Sequence, residues 1–104
     1  MDIQNLKPKS LIAMDLDGTL CEGECWDDDK IMHALPIQKM IELNNKLYCS
    51  GHHIIIYTAR PEKQRLATEY WLKKNGVRFH ALRMDKMGAS CYIDDKSINP
   101  KNIC

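Results

Sequence analysis

The stretch Leu11-Ile12-Ala13-Met14-Asp15-Leu16-Asp17-Gly18-Thr19-Leu20 decides how this chain is read. Four apolar residues end abruptly in a carboxylate, the pattern of a buried strand whose tip reaches solvent. Ile54-Ile55-Ile56-Tyr57 repeats the pattern more clearly, as a continuous, largely β-branched run closed by Thr58. Residues 77–82 read as a third strand. Cys91-Tyr92-Ile93 reads as a fourth, short one that ends in Asp94-Asp95.

Helical patterns separate these runs. Pro36 suits a first helical turn, Ile37, Met40, Ile41, Leu47 and Tyr48 follow at helical spacing, and Gly51 stops the element. Pro61 opens another helix, with Leu66, Ala67, Tyr70 and Trp71 expected on one apolar face and Gly76 as its terminator. Residues 18–35 hold Gly18, Gly23 and Asp27-Asp28-Asp29, and read as an irregular loop or small flap. Strand alternating with helix implies right-handed crossovers and a mostly parallel sheet covered on both faces. Ligands of such sheets lie beyond the carboxyl ends of the strands. Asp15, Thr58 and Asp94-Asp95 are therefore expected to converge at one edge.

Size and composition agree with one α/β domain over residues 1–104. The chain is 44% hydrophobic and 28% charged, ordinary values for a folded domain. Fifteen Lys and Arg against fourteen Asp and Glu give a net charge of +1, which favours neither a general nucleic-acid binder nor a membrane-surface protein. No apolar run reaches the roughly 20 residues that span a bilayer. The polar start and the five cysteines fit reduced thiols in a cytoplasm. Cys21, Cys25, His52 and His53 match no common zinc-ligand spacing.

The residues expected at the sheet edge suit phosphoryl chemistry. A carboxylate attacking a phosphoryl group meets like-charge repulsion unless a divalent cation and fixed donors neutralise the oxygens. Asp15 with one or both of Asp94 and Asp95 supplies the hard oxygen ligands that Mg²⁺ prefers. Lys86 offers a point charge, Thr58 a hydroxyl, and the turn at Gly18 backbone N–H groups for an anion. Attack by Asp15 would give an aspartyl-phosphate and split one hard hydrolysis into two easier steps. Asp17 would protonate the leaving oxygen and later take a proton from water. Arg60 would either contact substrate phosphate or simply flank the helix start.

These residues resemble the motifs of the haloacid dehalogenase (HAD) superfamily. Asp15-Leu16-Asp17-Gly18-Thr19-Leu20 looks like its first motif, Thr58 its second, Lys86 its third and Asp94-Asp95 its fourth, in the family's order. The resemblance implies a three-layer, Rossmann-like parallel sheet with four strands in the order 3-2-1-4. It implies Asp15 as nucleophile and Asp17 as general acid/base, the second carboxylate that separates phosphatases from dehalogenases. Mg²⁺ would be held by Asp15, the Asp17 carbonyl and Asp94, with Asp95 beside them. Thr58, Ala59, Arg60, Lys86 and Gly18 would bind the substrate phosphate. Gly51 to Arg60 and Tyr92 to Lys96 resemble small bacterial and phage phosphatases of this superfamily, some connected with capsular polysaccharide. Met87 departs from the Pro that many relatives carry after the lysine.

No cap domain is evident, only the flap near residues 21–33. The expected substrate is a sugar phosphate, nucleotide or phosphorylated polymer end. An open site suits a bulky polymer end, or a partner subunit that closes it in an oligomer, and a sugar phosphate fits if the flap with Trp26 and Asp27-Asp28-Asp29 covers the site. Nucleic acid enters this reading only as a substrate. Two alternatives stand beside it: a catalytically silent binding or regulatory module of the same fold, and a nucleic-acid end-processing phosphatase. A calcium loop at Asp15 to Gly18 lacks the required spacing and follows a strand rather than a helix. Asp27-Asp28-Asp29 reads as a solvated loop before a second metal site, and Trp26 as an anchor of its own loop or a substrate platform. Tyr70 and Trp71 read as packing residues, and His33 and His80 have no assigned role.

Overall fold

The computed structural model describes residues 6–23 and 27–86. Three strands form one parallel sheet in the order β1 (Leu11–Met14), β2 (His53–Tyr57), β3 (Ala81–Arg83). This is the first three-quarters of the expected order 3-2-1-4; the fourth strand, expected at Cys91-Tyr92-Ile93, lies outside the described residues. Helices α1 (Asp28–Met32) and α2 (Gln38–Cys49) connect β1 to β2. A 3₁₀ turn (Glu62–Gln64) and α3 (Arg65–Lys74) connect β2 to β3.

The two sheet faces differ. Register pairs Ile12 with Ile54, Met14 with Ile56 and Ile56 with Leu82, so these side chains share a face. Ile54, Ile56, Met14 and Leu82 are buried there. The alternate residues Leu11, Ala13, Ile55 and Tyr57 are exposed or half-buried, Leu11 at 67%. Sequential strand order with right-handed crossovers sends both connections over the same face. Among the described residues the architecture is thus an open sheet with helices on one side. The expected third layer is not among them, and Leu11 is not the buried residue its apolar run suggested.

Helix α3 also corrects the sequence. It buries Ala67, Thr68, Trp71 and Leu72, whereas Leu66 (81% exposed) and Tyr70 (52%) face outward. The 3₁₀ turn before Arg65 sets the helical phase, turning the Ala67–Trp71 and Thr68–Leu72 rows inward. The helix ends in a Schellman motif. Gly76 (φ +68°) donates to the Lys73 carbonyl, and Val77 donates to Leu72 at 2.9 Å and packs into the core.

That closure shortens the strand expected over residues 77–82. The Val77 amide belongs to the helix cap. Arg78 is tied to α2, its amide donating to Asn45 Oδ1 (2.9 Å) and its carbonyl accepting from Asn44 Nδ2 (2.9 Å). Only Ala81–Arg83 remains for the sheet. A Cβ at position 76 meets nothing within 4 Å, so Gly76→Ala carries the left-handed backbone penalty alone. The expected loss is about 1–2 kcal/mol, read from the urea midpoint at unchanged slope.

The flap is partly helical. Asp27 caps α1, its Oδ1 accepting the Lys30 amide at 2.9 Å, and Asp28 and Asp29 occupy the first turn, where the helix dipole favours negative charge. Ile31 is fully buried and fastens this short helix to the core. The acidic run is therefore a helix start.

Candidate active site

Asp15 and Thr58 follow directly on the carboxyl ends of the adjacent parallel strands β1 and β2. The register carried one residue further sets Asp15 beside Tyr57, and Tyr57 pairs with Arg83. The Thr58 amide donates to the Arg83 carbonyl (3.0 Å), Lys86 donates back to the Thr58 carbonyl (2.9 Å), and Asp85 donates to the Arg60 carbonyl (2.8 Å). Asp85 adopts φ +58°, a conformation in which Asp is tolerated better than most residues. This left-handed step brings Lys86 back against β2, where Nζ lies 5.3 Å from the centroid of the Tyr57 ring. Thr58, Asp15 and Lys86 thus share one sheet edge. Asp94 and Asp95 lie outside the described residues.

The loop after β1 is wound around one carbonyl. Leu16 O accepts from the amides of Thr19 (3.1 Å), Leu20 (2.8 Å) and Cys21 (3.2 Å). Leu16 and Leu20 are fully buried, which anchors the loop at both ends. Gly18 takes φ +79° to make the turn, and its amide donates to the Cys21 carbonyl at 2.8 Å. That amide, expected to face an anion, is engaged within the loop. Asp15 is half-buried, and its Oδ1 accepts the Leu16 amide at 2.8 Å.

The structure brings Asp17 and Arg60 together, a pairing that sequence reasoning missed. Arg60 Nη2 donates to Asp17 Oδ1 at 2.6 Å and Nε donates to Oδ2 at 3.0 Å, a two-pronged charge-assisted contact. The Arg60 side chain is 3% exposed and that of Asp17 25%. Behind the pair, Arg60 Nη1 donates to the buried Thr68 hydroxyl (3.0 Å), and Cys21 Sγ lies 3.6 Å from Nη2 and 3.5 Å from Asp17 Oδ1. Arg60 therefore lies buried against Asp17. Thr58 is buried too, its Oγ1 accepting the Arg60 amide at 3.2 Å, while Ala59 between them is exposed. The available signal was an Arg three residues past the end of β2, followed by Thr68 eight residues on at the inward phase of α3.

Two further groups are excluded from this edge. His52 and His53 sit at the amino end of β2, roughly 15 Å of strand from the edge that holds Cys21. There His52 Nδ1 accepts the Ser10 amide, and His80 Nδ1 accepts the Ile54 amide while its ring stacks between Tyr48 and His53. His80 is thus a sheet-end packing residue. Among the described residues no three His, Cys, Asp or Glu side chains cluster as a metal site, and no helix is long and apolar enough to cross a membrane.

At the entry to α3, Arg65 bonds Glu62 and also donates to the Leu82 carbonyl (3.2 Å). The hydrogen bond from Arg65 holds the Glu62 carboxyl below its usual value against desolvation, and the same bond raises Arg65. A depressed carboxyl adds stability that is present at neutral pH and lost as pH falls through the lowered value. Glu62 is solvent-exposed and Arg65 only half-buried, so solvent screening keeps the effect small.

No protein-family model matches the chain, and no curated protein does. Solved structures do. A crystal structure from Vibrio cholerae superposes with a TM-score of 0.72 at 25% identity, covering 88% of this chain and 85% of that one. A chain of the Pnkp1/Rnl/Hen1 complex gives 0.66 at 23% identity, and one of the Pnkp1/Rnl/Hen1 RNA repair complex gives 0.64 at 23%. These cover 91% and 92% of this chain but only 33% and 29% of theirs, so the chain spans about a third of those proteins. What this chain shares with them is an α/β fold.

Proposed function

We propose that the protein is a Mg²⁺-dependent phosphomonoester hydrolase that works through an aspartyl-phosphate on Asp15. What supports this reading is that Asp15 and Thr58 follow adjacent strand ends, that the Lys86 amide bonds back to the Thr58 carbonyl, and that the Asp17 carboxylate is turned onto Arg60. Asp15 Oδ1 is committed to the Leu16 amide, which leaves Oδ2 to attack phosphorus. As the new Oδ2–P bond forms, the P–O bond to the leaving group breaks, and Asp17 gives that oxygen its proton. Water then attacks phosphorus, its proton passes to Asp17, and the Asp15–phosphate bond breaks to release inorganic phosphate.

Hard oxygen donors are what such a divalent ion prefers. With the Asp17 side chain drawn onto Arg60, Asp15 and the Asp17 carbonyl would serve as two of those donors among the described residues; Asp94, with Asp95, would complete the set. Bound there, Mg²⁺ would offset the negative charge of the phosphoryl oxygens. Lys86 would add a point charge to them.

The test is hydrolysis of an aryl phosphate. Activity is expected with Mg²⁺, to disappear with EDTA and to return when Mg²⁺ is resupplied. Retention of full activity after exhaustive chelation would overturn the metal dependence.

A second reading, a phosphatase that processes nucleic-acid ends, draws on the fold shared with chains of an RNA repair complex. It predicts that oligonucleotides carrying a 3′- or 5′-phosphate have a kcat/KM at least about tenfold above that of sugar phosphates, a preference of about 1.4 kcal/mol. The reverse order favours a small metabolite.

A further inference from the structure

We infer that Arg60 is a positioning residue for Asp17, held by Thr68 and Cys21 so that the Asp17 carboxylate is fixed in plane and in place. This rests on the phosphatase reading and assigns Arg60 a place in it other than on substrate phosphate.

The argument begins with donor geometry. A guanidinium offers five N–H groups in a rigid fork, and a carboxylate has two oxygens with two acceptor sites each. Here the fork meets both oxygens, which fixes the carboxylate plane as well as its position. The oxygens are not equivalent. Oδ1 receives the shorter bond, 2.6 Å, and also lies 3.5 Å from Cys21 Sγ. Oδ2 receives Nε at 3.0 Å and keeps its other acceptor site among the described residues.

The fork is itself fixed from behind. Nη1 is held by Thr68 Oγ1 at 3.0 Å on the fully buried face of α3, and the Arg60 carbonyl accepts the Asp85 amide just before Lys86. One residue therefore links three parts of the edge: the loop after β1, helix α3 and the turn that carries Lys86. A general acid displaced by 1 Å loses much of its effect. An arginine this deeply buried serves such alignment, whereas a phosphate ligand needs to reach the open edge.

The experiment uses leaving groups. An aryl oxide such as p-nitrophenoxide departs without protonation, whereas an alkoxide needs a proton. kcat/KM reports the step in which that bond breaks. Arg60→Lys keeps the charge but loses the fork. It is expected to lower kcat/KM for an alkyl phosphate by about 100-fold, and for p-nitrophenyl phosphate by no more than about threefold. Thr68→Val, nearly isosteric, is expected to follow the same selectivity at about tenfold. Adding Arg60→Lys to Asp17→Asn should cost the alkyl ester nothing more, because both changes remove one function.

An equal loss on both esters, or a loss additive with Asp17→Asn, overturns the inference. So does weaker inhibition by inorganic phosphate in Arg60→Lys, which would put Arg60 on the phosphate. A readout independent of turnover is the Arg60 Nε–H NMR signal, expected to shift and to exchange faster with water in Asp17→Ala. An unchanged signal overturns the clamp. If the unaltered chain hydrolyses neither ester while that signal behaves as expected, the phosphatase reading falls and the positioning role falls with it. Hydrolysis without leaving-group selectivity overturns the positioning role alone.

Discussion

Asp15→Asn is expected to lower aryl-phosphate hydrolysis by about 10⁵-fold or more, the scale seen when an enzyme loses its nucleophile. The substitution is nearly isosteric. Its amide oxygen can still accept the Leu16 amide that Asp15 Oδ1 now holds at 2.8 Å, so the turn after β1 keeps its shape. An amide nitrogen is a poor nucleophile towards phosphorus, and the site also loses the negative charge that would hold Mg²⁺. Because Asp15 is only half-buried and makes no ion pair among the described residues, stability should move by less than about 0.5 kcal/mol. The two measurements belong together: an activity assay with Mg²⁺, and a urea titration of the same preparation. Loss of activity at an unchanged midpoint assigns the chemistry to this carboxylate. Robust turnover by purified Asp15→Asn, with contamination excluded, would falsify the mechanism, whatever the motifs resemble.

The strands that carry this edge were legible because their signal is local. Ile54-Ile55-Ile56-Tyr57 can bury one face only as a strand, and the structure buries Ile54 and Ile56 completely. The strand order was implied by the motif resemblance; the handedness rule adds only which face each connection covers. What stayed hidden depended on partners far apart in the chain. Asn44 and Asn45 turn Arg78 out of the sheet by hydrogen bonds that span more than 30 residues. The inward face of α3 depended on a 3₁₀ turn that shifts helical phase, so Leu66 and Tyr70 were placed on the wrong side. Arg60 showed the same limit at the site. Its position two residues beyond Thr58 was plain, but its contact with Asp17 spans 43 residues and follows from how two loops fold back across the sheet edge. The α1 start at Asp27-Asp28-Asp29 was legible in principle, since an aspartate cap with an acidic first turn is a local pattern.

Trp71→Ala is expected to destabilise the fold by about 3–5 kcal/mol, a large share of the 5–15 kcal/mol that holds a domain of this size. Trp71 is 1% exposed and belongs to the inward row of α3, so its removal leaves a cavity that the surrounding core cannot fully close. Its indole also does a polar job. Nε1 donates to the Ala34 carbonyl at 2.8 Å, which ties the segment after α1 to α3. That segment in turn holds the motif loop, because Glu22 donates to Leu35 O and Ile37 donates to Leu20 O, each at 2.8 Å. Trp71→Phe separates the two contributions. It keeps most of the apolar volume but leaves the Ala34 carbonyl without this donor, at an expected cost of about 1–3 kcal/mol. Urea midpoints at constant slope read both losses. A loss in Trp71→Ala no larger than in Trp71→Phe would mean that the core closes over the gap. The packing described around Trp71 would then not be what anchors the loop after β1 and, with it, Asp17.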